Sequence, residues 1–373
     1  MISLLVASLL FKGIGFTLKK YFQTKELLVI SLYMVIVLIS GTYSENKSDW
    51  MNWVRIKLPF IALPLAFAPI QQLSSKKFIV VLYGFMLTFF GCTVLVLGNY
   101  FMHYETMTQS FSWGTQIPMP FNHIRYTLML AFSFFCALYL YKEQSFVLSA
   151  NEKWVQLSYA GFVFIALHVL SVRSGLLALY LGLFYLAISG VFKRRQFLVG
   201  GSIFLLIAVL PFAAYKLVPS LHNKLEYMRY DLNEYQKGNI NENSDAMRLL
   251  SMQIGMQMWR QNPLLGVGSG DLETETYSIY EKQYPQITVI NRRVPHNQFI
   301  WVLAGTGLLG FALFLTAFFY PLIAQRYYQH GLFLILNLMI FSSFFTEDTF
   351  EEQMGSGFYL IFLLLLMNHF KRE

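Results

Sequence analysis

Arg173, Arg248 and His296 are the residues whose types and settings most suit chemistry in this sequence. Arg173 lies in LSVRSGLL, a short break between two apolar runs. An ionisable side chain beside spanning segments is costly to place, which makes it a functional candidate. A guanidinium fork matches the oxygens of phosphate or carboxylate. The bland alternative is an arginine that reaches for lipid headgroups. His296 follows Pro295 in VPHNQF, where a polar stretch meets an apolar one. A neutral imidazole there can take a proton from a hydroxyl, because its pKa lies near working pH. Asn297 beside it can orient a substrate, and the alternative for His296 is a helix-capping role at an interface. Arg248 falls in DAMRLLSMQIGMQMWRQNPLLGVG, where a solvated helix face is the ordinary reading. Arg125 in FNHIRYTL, near His123, and Arg292 and Arg293 ahead of His296 add further cations. A set of this kind suits an anionic lipid phosphate.

Other candidates carry less. GVGSGD at 266–271 lacks the strand–turn–helix context of a nucleotide loop, and no Lys follows its second Gly. It reads as a tight turn that lets backbone approach a neighbouring element. Glu347, Asp348, Glu351 and Glu352 could bind a divalent ion, but a solvated acidic loop is the preferred reading and no metal is expected. Cys92 and Cys136 lie inside apolar runs, so neither a disulfide framework nor a zinc site is available.

These residues sit in a chain of 373 residues that is 56% hydrophobic and 13% charged, with mean hydropathy +0.48. Soluble proteins carry about a quarter charged residues, so a soluble enzyme, a disulfide scaffold and a disordered regulator are excluded. The 36 Phe and 23 Tyr fit rings packed against lipid and headgroups. The net charge of +8 serves topology rather than nucleic-acid binding, since Lys and Arg are retained in cytoplasmic loops. The expected fold is an all-α polytopic membrane protein.

A span needs about 20 mostly apolar residues, which gives about eleven segments, or twelve at the upper end. They cover 1–18, 26–42, 56–72, 78–101, 123–141, 154–172, 174–192, 196–218, 299–324, 331–346 and 355–370. The opening segment is read as a span rather than a cleaved signal, and Pro59, Pro64 and Pro69 should kink the third. Lys19, Lys20, Lys25, Lys76, Lys77, Lys142, Lys153, Lys193, Arg194, Arg195, Arg326, Lys371 and Arg372 assign their loops to the cytoplasm. The loops at 42–50, 102–122 and 345–353 are acidic or nearly neutral and fall on the other side, with the amino terminus outside and the carboxyl terminus inside.

Three parts follow from this plan: spans one to eight in 1–218, a large polar loop in 219–298, and spans nine to eleven in 299–373. A connection that long should have structure of its own. Leu221, Leu225, Met228, Leu232 and Tyr235 line one face of an amphipathic helix that Gly238 would stop. A second helix should start after Ser244 and end before Pro263, with Leu250, Ile254 and Met258 on its apolar side.

The order of motifs carries a resemblance. Ser171–Arg173 gives a Ser-x-Arg break, Arg248 through Gly268 gives R-x10-W-R-x2-P-x2-G-x-G, and Pro295 through Gly310 gives P-H-N-x-F-I with G-x-G-L-L-G. This pattern resembles the O-antigen ligase and O-antigen polymerase superfamily of bacterial membrane glycosyltransferases, over roughly the second half of the chain. The resemblance implies a multi-pass protein of the inner membrane whose large, mostly helical loop is periplasmic. It implies transfer of a glycan from an undecaprenyl-diphosphate carrier to an acceptor hydroxyl, inverting and without metal or cofactor. Ligases use lipid A–core as acceptor, and polymerases use a second carrier-linked glycan. By analogy Arg173 and Arg248 would hold the diphosphate, His296 would be the base, and Arg125 and Arg293 are secondary phosphate ligands. A ligase is slightly preferred to a polymerase. From another class, a flippase for the same lipid-linked sugars would place ionisable groups at the bilayer midplane of repeated halves. His168 is the main residue that would favour that reading, and a hydrogen-bonded core histidine is the preferred account of it.

Overall fold

The computed structural model describes residues 2–110, 116–144, 149, 151–193, 197–238 and 244–371. Arg194, Arg195, Arg372 and the middle of the aromatic loop 102–122 lie outside the described residues. Among the described residues there are helices and no strands. The first five are α1 (Ile2–Lys12), α2 (Ile14–Gln23), α3 (Lys25–Ser40), α4 (Lys47–Lys57) and α5 (Pro59–Phe67). Next come α6 (Ser75–Met102), α7 (Tyr104–Ser110), α8 (His123–Lys142), α9 (Glu152–Leu170), α10 (Arg173–Ile188), α11 (Phe197–Leu217) and α12 (Pro219–Gln236). The last are α13 (Ser244–Gln261), α14 (Leu272–Gln283), α15 (Gln298–Ile323), α16 (Gly331–Ser343) and α17 (Gln353–Phe370).

The protein is an all-α polytopic membrane protein. Among the described residues, seven helices are long and apolar enough to cross a bilayer, and an eighth span results if the pair α2 and α3, bent by 92°, counts as one. The remaining expected spans are shortened for local reasons. Segment 1–18 is cut at Gly13 into α1 and the start of α2. Segment 56–72 is taken up by the end of α4 and by the nine residues of α5, which begins at Pro59 and contains Pro64. Helix α16 has 13 residues, or about 20 Å at 1.5 Å per residue, against a hydrocarbon core of about 30 Å.

The chain forms two units, one of Met1–Leu73, Asp231–Gln329 and Ser343–Glu373, the other of Ser74–Tyr230 and His330–Ser342. In the first, α3 lies along α15, and α5 packs on α3, α1 and α17. Helix α15 is broken at Gly307, whose φ of 64° and ψ of −168° suit glycine and strain other residues. The break frees backbone groups, and the segment before α14 satisfies them. Val267 and Gly268 donate to the carbonyls of Ala304 and Gly305 at 2.8 and 3.0 Å, while Leu308 and Leu309 donate to Pro263 and Leu264 at 2.9 and 3.2 Å. The GVGSGD turn is thus a backbone splint for a broken span, as its glycine content suggests. Its Asp271 carboxylate accepts from the amides of Glu45 and Asn46 at 2.8 and 2.7 Å, which ties the α3–α4 turn to the same loop.

Helix α13 begins at Ser244 and ends before Pro263, and its Leu250, Ile254 and Met258 are buried. The Asp231 carboxylate takes the first free amides of α13, those of Asp245 and Ala246, at 2.9 and 3.0 Å.

In the second unit α8 is the axis: 83% of its apolar window is buried, against 11% for α11, so α8 is wrapped by neighbours and α11 presents its apolar surface outward. Polar pairs fix the packing around α8. Thr93 and Tyr126 share a hydrogen bond of 2.7 Å, and Tyr159 donates to Ser133 at 2.8 Å. Helix α9 ends at Ser171, which adopts the left-handed conformation with φ 54°, and α10 starts at Arg173.

Candidate active site

The start of α15 is a built-up corner of the first unit. Asn297 caps the helix, its side-chain oxygen accepting from the amides of Phe299 and Ile300 at 3.0 and 3.1 Å. Its amide nitrogen donates to the carbonyl of Phe345 at 3.1 Å. The backbone of Gln298 donates to the carbonyls of Phe344 and Glu347 at 3.0 and 3.2 Å. Residues 296–298 are therefore sewn to the acidic segment 344–348. Helix α13 crosses the same corner at Gly255, where a Cβ would collide with Pro295 and Ile300, both at 2.6 Å. That close approach lets Ser251 accept from the amide of His296 at 3.2 Å and brings Arg248 over the histidine's neighbours.

Three charged groups then meet around the imidazole. Arg248 Nη2 lies 2.9 Å from Glu347 Oε1, with Asp245 Oδ1 3.9 Å from Nη1. His296 Nδ1 is 3.9 Å from the other oxygen, Glu347 Oε2, and 3.6 Å from Asp348 Oδ1. Nδ1 itself is buried and makes no hydrogen bond among the described residues. Glu347, with a side chain only 4% exposed, thus stands between the arginine and the histidine. Burial and the nearby Arg248 push the Arg293 guanidinium below its usual value, against the pull of Glu347 and Asp245. Two guanidiniums therefore share this corner with a small set of carboxylates. Arg292 is directed elsewhere, onto Glu281 of α14 at 3.1 Å.

The solvated reading of 345–353 is corrected here. Glu347 and Glu351 are buried at 3% exposure each. Glu351 Oε2 meets Lys57 Nζ at 2.5 Å, and burial raises the Glu351 carboxyl pKa above its usual value despite that cation. The solvated-face reading of Arg248 fails for the same reason, because Glu347 holds it. Among the described residues, His296, Glu347 and Asp348 are a group whose ligand atoms, all within 4.8 Å of one another, could hold a cation. Arg248 already occupies one oxygen of Glu347 and would compete with it.

The other expected cations belong to the second unit. Arg173 opens α10, is exposed, and its Nη1 lies 2.6 Å from the sulfur of Met228 on α12. Lys224, on the same helix, is buried and donates to the carbonyl of Leu170 at 3.2 Å. Burial, then Arg173 nearby, lowers the Lys224 pKa to about 8. Arg125 is buried near the start of α8, whose cap is Asn122. His168 is held between the Phe164 carbonyl and the Tyr180 hydroxyl, both at 2.7 Å, which is the arrangement of a satisfied core histidine.

Sequence reasoning missed Glu347 as a partner of the arginine, and it missed Lys57 and Lys224 altogether. Lys57 left one usable signal, a lone lysine at the mouth of an apolar run.

Residues 159–315 match the model of a family described as O-antigen ligase. A comparison of the chain with curated proteins finds no match. The matched segment contains Arg173, Arg248, Arg293 and His296, and it places this part of the chain in the O-antigen ligase and polymerase superfamily. Its general activity is accordingly of the lipid-linked glycan transferase type, in a membrane setting.

Proposed function

With residues 159–315 in the O-antigen ligase and polymerase superfamily, we propose that the protein transfers a glycan from an undecaprenyl-diphosphate carrier to an acceptor hydroxyl at the periplasmic face of the bacterial inner membrane. The observation that carries this reading is the Arg248–Glu347–His296 arrangement, in which one buried carboxylate holds a guanidinium on one oxygen and faces an imidazole 3.9 Å from the other. Residues 219–298 are assigned to the periplasmic side, with the spans before and after them.

The acceptor oxygen attacks the anomeric carbon, the bond from that carbon to the phosphate oxygen breaks, and undecaprenyl diphosphate leaves with the electron pair. The configuration inverts. Negative charge grows on the leaving diphosphate, and fixed cations lower the barrier where that charge develops. Arg248 and Arg293 supply them in the first unit. Glu347 engages Nη2 of Arg248, which sets the plane of the fork and leaves other donors for phosphate oxygens. His296 takes the hydroxyl proton on Nε2. The imidazolium that forms has Asp348 and Glu347 beside Nδ1 to stabilise it. Asn297 contributes by fixing the start of α15, since its side chain is committed to the cap and to Phe345. In the second unit, Arg173, Lys224 beside it, and Arg125 are assigned to phosphate binding.

Lipid A–core is the proposed acceptor, which makes the protein a ligase. The test is transfer by purified protein from an undecaprenyl-diphosphate oligosaccharide to lipid A–core or to a second carrier-linked glycan, offered separately, with His296→Ala as control. Product on lipid A–core supports the ligase, and growth on the carrier makes it a polymerase. Equal signals from wild type and His296→Ala would remove the histidine from the mechanism.

A further inference from the structure

Among the described residues of the first unit, Lys57 is the one lysine whose side chain is wholly enclosed, at 0% exposure, and its partner Glu351 is 1% exposed. The ammonium lies 2.5 Å from Glu351 Oε2 and donates to the Phe350 carbonyl at 2.5 Å. It also faces the rings of Tyr33 and Trp301, at 5.0 and 5.1 Å from their centroids. The other oxygen of Glu351 accepts from Tyr33 at 2.9 Å and from the side chain of Gln298 at 2.6 Å. Gln298 closes the circuit by accepting from the Phe350 amide at 2.7 Å. Gln298 lies two residues after His296, and Phe350 and Glu351 lie just after Glu347 and Asp348.

An enclosed ammonium cannot touch a donor or an acceptor, so chemistry at Lys57 itself is excluded. Stability alone is a weak reason for such a pair, because apolar residues of similar size often replace a buried ion pair without loss. What the network does geometrically is specific. Segment 344–351 is fixed at one end by residues 297 and 298, through the carbonyls of Phe344, Phe345 and Glu347. At its other end Lys57 holds Phe350 and Glu351. Glu347 and Asp348 are suspended between these anchors, facing Arg248 and His296.

We propose that Lys57 is a positioning residue: by clamping Phe350 and Glu351 it holds the segment that aims Glu347 and Asp348 at Arg248 and His296. Its catalytic half rests on the transfer reading above, and its structural half does not.

The experiment uses the full chain in detergent, with Lys57→Met and, should that variant fail to fold, Glu351→Gln. Hydrogen exchange is read across 344–351, where the amides of Glu347, Phe350 and Glu351 are hydrogen-bonded. Release of one anchor should speed exchange there by about tenfold while α13 and α17 keep their protection, as a local opening does. No change, or a rise spread over the whole chain, overturns the proposal. Turnover is read in a cycle with Glu347→Gln. Lys57→Met should lower kcat by about 30-fold alone and by no more than about threefold when Glu347 is already Gln, because residues acting through one group are not additive. Equal losses in both backgrounds overturn the positioning role. If wild type transfers to no acceptor, the transfer reading falls, and the exchange data decide the clamp independently.

Discussion

The break in α15 is closed by backbone, whereas the break between α9 and α10 is closed by side chains. At Gly307 four main-chain hydrogen bonds from residues 263–268 replace those the helix loses. At Ser171 the hydroxyl donates to the His168 carbonyl at 2.6 Å and Lys224 reaches the Leu170 carbonyl. The two charge settings differ in the same way. In the first unit Arg248 and Lys57 each sit on a buried carboxylate. In the second, Lys224 is buried with Arg173 close enough to lower its pKa. Carboxylates on the cations of the first unit fix their geometry before any ligand arrives. In the second unit two cations lie near each other where α12 covers the α9–α10 break. On the proposed reading, the first arrangement serves the chemical step and the second holds the donor phosphate.

That division can be broken most sharply at the chemical step. His296→Ala should lower turnover by about 10²–10⁴-fold, the range for a positioned acid–base group. Arg248→Ala should lower it by about 10²–10³-fold, as for the loss of one charge-stabilising donor. Arg173→Ala should act mainly on the donor concentration needed for half-maximal rate. Steady-state kinetics of the three variants with varied donor separates these outcomes. A turnover loss at Arg173 equal to that at Arg248, with half-saturation unchanged, would erase the distinction between the units.

The sequence was informative where chemistry is local. The end of α13 follows from Pro263, and the spacing of Leu250, Ile254 and Met258 sets its buried face. The glycines of 266–271 and the break at 305–307 were visible as glycines, though nothing local says that they pair with each other. The acidic segment 345–353 misled for a physical reason. Four carboxylates in six residues look solvated, yet two of them are buried, because Lys57, Tyr33 and Gln298 reach Glu351 from distant parts of the chain and Arg248 reaches Glu347. Charge pairing across such separations leaves no periodicity to read. The same holds for Lys224, which sits among ordinary polar residues of an amphipathic helix and is buried only because that helix covers the break at Ser171.

Lys224 offers a pH test of the second unit. Its folded pKa of about 8 lies below the ordinary 10.5, so between those values the unfolded chain binds the proton and the folded protein does not. Stability should therefore rise as pH climbs from about 8 towards 10.5, and below 8 the full penalty is present, on the order of 3 kcal/mol. Lys224→Met removes the ionisable group, so its thermal midpoint should exceed that of wild type at pH 7 and the two should converge by pH 10. Parallel midpoints across that range would mean that Lys224 does not carry the cost. A bound diphosphate should reverse the trend in wild type, because an anion beside Lys224 restores the charged form.

The smallest effects lie at the breaks themselves, and they should differ in size. Gly307→Ala puts a Cβ where φ is 64° and against the backbone of Leu264, so it should destabilise by at least about 1–2 kcal/mol. The damage should extend to the splint, seen as faster exchange at Val267 and Gly268, which donate to the carbonyls of Ala304 and Gly305. Ser171 already stands in the left-handed region at φ 54° without being glycine. Ser171→Gly relieves that strain, on the order of 1 kcal/mol. It also gives up the hydroxyl's bond to His168, worth a similar amount, and adds unfolded-chain freedom. The net change should be within about 1 kcal/mol, measured as a shift in thermal midpoint. If Ser171→Gly proves as damaging as Gly307→Ala, the hydroxyl is the principal fastening of the α9–α10 break. If Gly307→Ala is silent, the α15 break is held by less than its four backbone bonds imply.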